Sequence, residues 1–167
     1  MPPPAPAAEP RPKPGVLAVI ARRWSAALAR LRNLGRPRDR RDPLGAQGEA
    51  QAWTYLKARG YRLLGRNLRV PMGEADLLCR DPDGRTIVLV EVKSRRVRAG
   101  SRPFARPEAS VHAHKRRKLV SIARHLARAN GWPTIRIDVV AIEFVENADP
   151  VIRHWSNAVG FSTRARR

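Results

Sequence analysis

The chain has 167 residues, a length that suits one domain with appended segments. Its single cysteine, Cys79, excludes a disulfide within these residues and favours a reducing cytosol. No apolar run approaches the roughly 18–20 residues that would span a bilayer, so stable membrane insertion is not expected. Residues 1–15 lack the basic and apolar regions of a secretory signal. We therefore expect a cytoplasmic protein.

The charge balance is the strongest signal in the composition. Lys and Arg number 34 against 14 Asp and Glu, a net charge of +20. Such an excess repels itself within a compact chain, and a polyanion is its usual partner, because each neutralised phosphate releases condensed counterions. Nucleic acid is the favoured partner, which also admits a nucleoid location. An anionic membrane or an acidic protein is the alternative, and an arginine-rich proteome would produce part of the same bias.

Residues 1–42 are interpreted as a Pro- and Arg-rich basic extension and linker. The first 15 residues have the proline and alanine content of a disordered segment. Through residues 16–34, apolar side chains recur at helical spacing with arginines among them. This pattern fits either a basic amphipathic helix or a weakly helical, solvated extension.

The domain proper is predicted over residues 43–157, with 158–167 as a basic tail. Asp42 and Pro43 are typical of a helix start, and Gly60 of a helix end. The predicted elements are a helix at 43–59, strands at 61–70, 74–80 and 86–94, a mobile basic loop at 95–110, a helix at 111–129, and strands at 135–143 and 151–155. An α/β fold, with a mixed sheet and helices against its faces, is the natural packing of this order.

Two of these strands form a predicted hairpin across residues 83–84, because Asp-Gly is a strong hairpin signal. If those residues are the centre of a type I′ turn, residues whose numbers sum to 167 face each other, which places Asp76 opposite Glu91. Glu74 then lies opposite Lys93 on the same face, because side chains alternate along a strand. A four-residue loop would shift the pairing by two and keep the same face.

Two carboxylates that face each other on apolar strands need compensation. Like charges there are destabilising, and desolvation demands a cation or a raised pKa. A divalent ion meets this need, since Mg²⁺ takes one or two carboxylates and keeps several waters. Lys93 adds an ammonium that can position a water or stabilise charge on a phosphate. Such groups hydrolyse phosphodiesters; alternatively, Glu74 and Lys93 form a salt bridge and Asp76 is an exposed strand residue.

The spacing of Asp76 and the triplet Glu91-Val92-Lys93 resembles that of the PD-(D/E)XK, restriction-endonuclease-like nucleases. A wider resemblance, to the YraN-type bacterial family of predicted endonucleases, covers about residues 43–157. It rests on five segments in order: GAQGEAQAWTYLKARGYRLLGRNLR (45–69), GEADLLCRD (73–81), VLVEVKSR (88–95), KRRKLVSIARHLA (115–127) and RIDVVAI (136–142). The resemblance implies a restriction-endonuclease-like mixed β-sheet flanked by helices.

Carried over residue by residue, the resemblance makes Asp76 and Glu91 metal ligands, with the Val92 carbonyl as a third oxygen and Lys93 as the catalytic lysine. Glu49, on the first helix, would complete the metal shell. The implied activity is that of a DNA endonuclease dependent on Mg²⁺ or Mn²⁺. The alternative is a non-catalytic or weakly active nucleic-acid-binding protein of the same fold that acts in DNA processing or repair. Relatives that cut branched DNA work as dimers, which implies structured DNA and a homodimer, although no residue fixes an interface.

The sequence departs from the family pattern at two places: Ala75 stands where a proline is expected before Asp76, and residues 98–108 differ from the family's shorter loop. Among other residues, Asp138 is predicted to form a cap or salt bridge rather than to act in catalysis, and Cys79 to be a core thiol. Basic residues that oppose a helix dipole or follow the triplet are predicted to contact phosphates. They are Arg95, Arg96, Lys115, Arg116, Arg117 and Lys118.

Overall fold

The computed structural model describes residues 43–98, 100, 102 and 112–160. The predicted N-terminal extension, with its helix at 16–34, lies outside the described residues. So do most of the predicted loop at 95–110 and the end of the predicted tail.

The described chain folds into two helices and five strands. They are α1 (Pro43–Ala58), β1 (Arg62–Val70), β2 (Gly73–Arg80), β3 (Ile87–Val97), α2 (Ala113–Asn130), β4 (Ile135–Val145) and β5 (Val151–Trp155). Each predicted helix and strand of the domain is present, with its ends moved by a few residues. Both helices end before a glycine with a left-handed backbone, Gly60 (φ 82°) and Gly131 (φ 64°), as helix stops commonly do.

The five strands form one sheet in the order β1-β2-β3-β4-β5. The β3–β4 pair is parallel and the other pairs are antiparallel. Because a parallel connection needs a crossover, α2 lies between β3 and β4 in the chain. The predicted mixed sheet flanked by helices is confirmed.

The helices cover opposite faces of the sheet. On the α1 face, Ala52 and Leu56 pack into a cluster with Leu77, Val90 and Val140. On the α2 face, a second cluster joins the inward side of α2 to the other set of strand residues; it contains Leu119, Ile122, Leu126, Leu78, Leu89 and Ile137. Alternation along each strand therefore decides which helix a side chain meets.

Strand β3 is longer than predicted. The basic run from Arg95 was interpreted as the start of a loop, but parallel pairing with β4 continues as far as Val97 opposite Val145. Arg95 lies across from Glu143, which compensates its charge within the sheet. Packing also continues beyond residue 157, since Val159 is 2% exposed in the α2-face cluster.

The register of the β2–β3 hairpin is confirmed, from Leu77 opposite Val90 to Arg80 opposite Ile87. The predicted turn type is wrong. Gly84 (φ 72°) is the one residue of the connection with a left-handed φ, whereas a type I′ turn needs two.

The connection spans four residues, because the Asp81 N–H donates to the Thr86 carbonyl at 2.9 Å. The Asp83 carboxylate accepts hydrogen bonds from the backbone N–H groups of Arg85 (2.7 Å) and Thr86 (2.8 Å), and so closes the loop. This loop has the same centre as the predicted two-residue turn, so the pairing does not shift by two.

Candidate active site

Asp76 lies where the regular alternation of β2 breaks. Ala75 packs in the α2-face cluster and Leu77 in the α1-face cluster, although residues two apart on a strand normally share a face. On the neighbouring strand β1, Asn67 has a left-handed backbone (φ 51°). The Asp76 side chain turns towards β3, where its Oδ2 accepts a hydrogen bond from the Val92 N–H at 2.7 Å. Asp76 is therefore held by the backbone of the predicted catalytic triplet.

Glu91 is the buried carboxylate of the site, with 2% of its surface exposed. Lys93 Nζ lies 3.0 Å from its Oε1, and Lys115 Nζ lies 3.0 Å from its Oε2. The Lys115 contact is an ion pair without hydrogen-bond alignment, so that among the described residues the buried Oε2 has no hydrogen-bond donor. One oxygen of this carboxylate is thus incompletely satisfied.

The two carboxylates interact. Burial, followed by the negative charge of Glu91, raises the pKa of Asp76 to about 7, against the lowering effects of the Val92 hydrogen bond and Lys115. A carboxyl that titrates near neutrality is typical of functional sites, although structural networks also perturb pKa values. Asp76 and Glu91 are therefore near enough for their charges to interact.

Lys115 enters the site from the first turn of α2, where the sequence predicted a peripheral phosphate contact. A helix that connects two parallel strands runs back along them, so its start lies near the end of the strand that precedes it. Lys115 follows β3 in the chain and meets it at Glu91. The crossover topology was the signal that could have placed it there.

Glu74 does not form the salt bridge with Lys93 that the hairpin register allowed. It lies 3.5 Å from Arg69 on β1, and both side chains are well exposed. Lys93 pairs instead with Glu91, two residues away on its own strand. The break in alternation at Asp76 separates Glu74 from the face on which Lys93 lies.

Glu49 is half-buried on α1, which packs against the face opposite Lys93 and Lys115. Its charge contributes the last and smallest cause of the raised pKa of Asp76. The neighbouring Gly48 lets α1 approach β3 closely, since a Cβ there would lie 1.6 Å from Ser94 Oγ. Glu49 is near enough to influence Asp76, and its ligand role stays a prediction.

The carboxylates of the site supply some of the oxygen ligands that a hard divalent ion needs. In residues 43–98 and 112–160, no three His, Cys, Asp or Glu side chains form a metal-binding group. Asp76 and Glu91 supply two carboxylates, and the buried Oε2 of Glu91 has an ion pair with Lys115 but no aligned hydrogen bond. Mg²⁺ characteristically takes one or two carboxylates and completes its shell with other oxygens and water. The two-carboxylate arrangement is compatible with that mode.

Some of the predicted phosphate-contacting residues lie on β3 and the others on α2. Arg95 lies on the α2 face near Lys93, while Arg96 lies on the opposite face and lines an open cavity of about 580 Å³ with Arg98 and Phe144. This cavity lies at the far end of β3, away from the carboxylates. On α2, Arg117 and Lys118 are exposed and Arg116 is half-buried. Their phosphate contacts stay predictions.

Asp138 belongs to a buried polar network on the α1 face. Its carboxylate is fully buried and accepts hydrogen bonds from Arg136 Nε, His154 Nε2 and the Asn157 N–H, each at 2.9 Å. Burial alone would raise the pKa of Asp138, but these bonds outweigh it and lower the pKa below its usual value. Arg136 also pairs with Asp81 at 2.5 Å. The predicted salt bridge is confirmed.

Cys79 is also a core residue, as predicted. It is fully buried on the α1 face, and burial raises the pKa of its thiol to about 12. Such a thiol is inert as a nucleophile at neutral pH.

The fold and the site together define an α/β protein with two carboxylates and a lysine on paired strands of a mixed sheet and a second lysine on the crossover helix. The model of "Uncharacterised protein family UPF0102" matches residues 48–142. The chain belongs to the UPF0102 family, which confirms the YraN-type resemblance found in the sequence.

Relatives extend over most of the domain. A UPF0102 protein of Anaeromyxobacter dehalogenans is 41% identical over 122 residues, which cover 72% of this chain and 86% of the relative. One from Geotalea uraniireducens is 43% identical over 127 residues, 74% of this chain and 95% of the relative.

Two solved structures show a weaker likeness. A chain of an EndoMS complex with double-stranded DNA gives a TM-score of 0.35 at 20% identity, and the match covers 68% of this chain and 42% of that one. The Ca²⁺ complex of Pyrococcus furiosus SfsA gives a TM-score of 0.32 at 15% identity, with 65% and 62% covered. Separately, neither described helix has the length and apolar character needed to cross a membrane.

Proposed function

We propose that this protein is a divalent-metal-dependent nuclease that hydrolyses phosphodiester bonds of DNA, with Mg²⁺ or Mn²⁺ as cofactor. The observation that carries the proposal is half-buried Asp76 beside buried Glu91, with two lysine ammonium groups at 3.0 Å from Glu91. Neighbouring carboxylates are destabilising unless cations compensate them, and a divalent ion would add to the compensation that the two lysines give. The spacing of the pair on a hairpin also matches the restriction-endonuclease-like motif.

Asp76 and Glu91 would hold the ion through carboxylate oxygens. The N–H and C=O of one strand residue point to the same side, so the Val92 carbonyl lies on the side from which its N–H bonds Asp76. It is therefore a suitable third oxygen. Glu49, which influences Asp76 from α1, is a candidate for a further ligand. When bound, the ion would lower the pKa of a water and stabilise charge on the phosphate.

Lys93 and Lys115 have distinct parts in this proposal. Each side chain is about one-third exposed, at 34% and 37%, so each can reach a ligand while it stays near Glu91. Lys93 would hold the attacking water or donate a hydrogen bond to a phosphate oxygen, where it stabilises developing charge. Lys115 supplies a second positive charge, at the other carboxylate oxygen of Glu91. DNA is the proposed substrate because the net charge of +20 favours a polyanion.

Cleavage of a supercoiled plasmid and of a branched junction in Mg²⁺, Mn²⁺ or EDTA tests the proposal. We expect cutting by the wild type in a divalent ion and none in EDTA. Asp76→Ala should bind DNA without cutting it, whereas Glu74→Gln, which alters an exposed carboxylate on the same strand, should cut as wild type does. Identical products from wild type and Asp76→Ala would refute the nuclease.

A non-catalytic DNA-binding protein of the same fold is the second candidate, favoured by the net charge alone. It predicts salt-dependent binding in EDTA by both wild type and Asp76→Ala, with no metal-dependent cutting by either protein. The same plasmid experiment therefore separates the two functions.

A further inference from the structure

Glu143 is a buried carboxylate outside the proposed reaction centre. It lies on β4 with 4% of its surface exposed, and its two oxygens pair with different arginines, Arg95 of β3 and Arg153 of β5. Arg95 approaches with both Nε and a terminal nitrogen, the Nε at 3.1 Å from Oε1. Burial alone would raise the pKa of Glu143, but the two arginines outweigh it and hold the pKa below its usual value.

This triad shares a sheet face with the reaction centre. Arg95 is two residues beyond Lys93 on β3, so both point to the α2 face. Ala141 lies opposite Lys93 on one side and opposite Arg153 on the other. Lys93 and Arg153 therefore flank a single methyl side chain, on strands about 10 Å apart. The basic side chains of Lys93, Arg95 and Arg153 therefore extend along this face from Glu91 on β3 to the edge strand β5.

Both arginines of the triad reach the surface. The side chains of Arg95 and Arg153 are 37% and 34% exposed, and Arg95 also donates a hydrogen bond to the Arg102 carbonyl at 2.5 Å. A guanidinium has five N–H donors in a fixed fork. A fork whose orientation is fixed on one side loses less entropy when it binds a phosphate on the other.

We propose that Glu143 positions Arg95 and Arg153 as a clamp for a backbone phosphate of nucleic acid, one step along the strand from the phosphate at Glu91 and Lys93. The inference rests on the proposed function for the position of the reacting phosphate. Arg153 and Glu143 carried no signal of this role in the sequence, because both depend on pairing across β3, β4 and β5. Glu143 is a positioning residue, and the two arginines bind the ligand.

If the triad only holds three strands together, Glu143→Gln should change the affinity for DNA in the opposite direction from the one that a phosphate clamp predicts. The substitution adds one unit of positive charge, which by general attraction strengthens binding to DNA. Loss of the clamp geometry instead weakens binding despite the added charge.

Binding of a 30-base-pair duplex to the full chain, measured in EDTA across a range of salt, tests the clamp without turnover. We expect Arg153→Ala to weaken binding about five- to tenfold near 0.1 M salt and to reduce the slope of log K against log salt by about one unit. Arg153→Lys, which keeps the charge but not the fork, should recover the slope and part of the affinity. Arg85→Ala is the matched control, because it removes one charge from the exposed turn at the other end of β3.

Weaker binding by both Arg153→Ala and Glu143→Gln, with Arg85→Ala near wild type, would support the clamp. Tighter binding by a folded Glu143→Gln, or an unchanged slope in Arg153→Ala, would overturn it. If Arg153→Ala did not fold, Arg153→Lys and Glu143→Gln would still decide. Because the readout is binding in EDTA, a wild type that never cuts DNA would refute the proposed nuclease and leave this result intact.

Discussion

Four acidic residues of the sheet can be compared two by two, because their negative charges are compensated in different ways. Asp138 and Glu143 receive hydrogen bonds from arginine, histidine or backbone donors on each of their oxygens. Asp76 and Glu91 repel each other electrostatically, and Oε2 of Glu91 has an ion pair without an aligned hydrogen bond. The protein itself supplies all the hydrogen-bond donors that Asp138 and Glu143 need. Asp76 and Glu91, in contrast, are suited to binding a cation from solution.

The difference appears in the direction of the pKa shifts. Hydrogen bonds hold the pKa of Asp138 below its usual value, against burial. Burial and Glu91 raise that of Asp76 to about 7. A buried acid with a lowered pKa stabilises the fold in its charged form, whereas one with a raised pKa destabilises the fold once it is charged. The sign of the shift therefore separates Asp138 from Asp76.

The largest expected effect is a loss of stability when Asp138, whose hydrogen bonds are all supplied by the protein, is replaced. Asp138→Ala would leave Arg136 and His154 without their shared partner, and we expect the free energy of unfolding to fall by about 3–5 kcal/mol. Urea denaturation at pH 7 in EDTA measures the change. Glu74→Ala is the control, since an exposed ion pair contributes about 0–1 kcal/mol. If both variants lost the same small amount of stability, the hydrogen bonds of Asp138 would stabilise the fold no more than the exposed ion pair of Glu74 does.

A divalent ion should act on Asp76 and Glu91. At a concentration 100-fold above its Kd, Mg²⁺ or Mn²⁺ should raise the free energy of unfolding by about 2.7 kcal/mol, because it binds the native state alone. Asp76→Asn should remove this gain, and Glu74→Gln should keep it. Thermal unfolding with and without the ion provides the measurement. An identical gain in Asp76→Asn would mean that the ion binds elsewhere.

The packing of α1 provides a third, smaller test. Gly48→Ala would place a Cβ 1.6 Å from Ser94 Oγ, and overpacking of this kind costs about 1–3 kcal/mol. A Cβ added at Gly45, in the same helix, would meet no atom within 4 Å. Gly45→Ala should therefore stabilise the protein, by up to about 1 kcal/mol, through helix propensity. Opposite signs for two identical substitutions, read by urea denaturation, would confirm close approach at Gly48.

The last expected effect concerns pH. The folded pKa of Asp76 lies above its unfolded value of about 3.9, so its stabilising contribution is full below that value and is lost as pH rises towards 7. In EDTA, Asp76→Asn should therefore unfold at a higher temperature than wild type at pH 8, and the difference should shrink as pH falls and nearly vanish below about pH 4. A variant equally destabilised at both ends of this range would show that the Asp76 charge carries no such penalty.

Local signals predicted much of the fold and brought together three of the four charged residues at the candidate site, Asp76, Glu91 and Lys93. Asp-Gly at 83–84 and strand alternation gave the hairpin register, although four residues close the loop. Pro43 and Gly60 gave the ends of α1. Lys115 could not be assigned to Glu91 in this way, because its position depends on how α2 crosses between parallel strands. The end of β3 was missed for a similar reason, since Arg95 looks like a loop residue until Glu143 lies beside it.

The parallel β3–β4 pair has a consequence for the order in which the site forms. The hairpin joins neighbours in the sequence, so Asp76 and Glu91 can meet early in folding, whereas Lys115 reaches Glu91 only after α2 docks. Closing the long connection to β4 is entropically costly and slow. The nascent hairpin therefore holds two acids together with Lys93 alone, before Lys115 arrives. Divalent ions present during refolding should accelerate the step that docks α2.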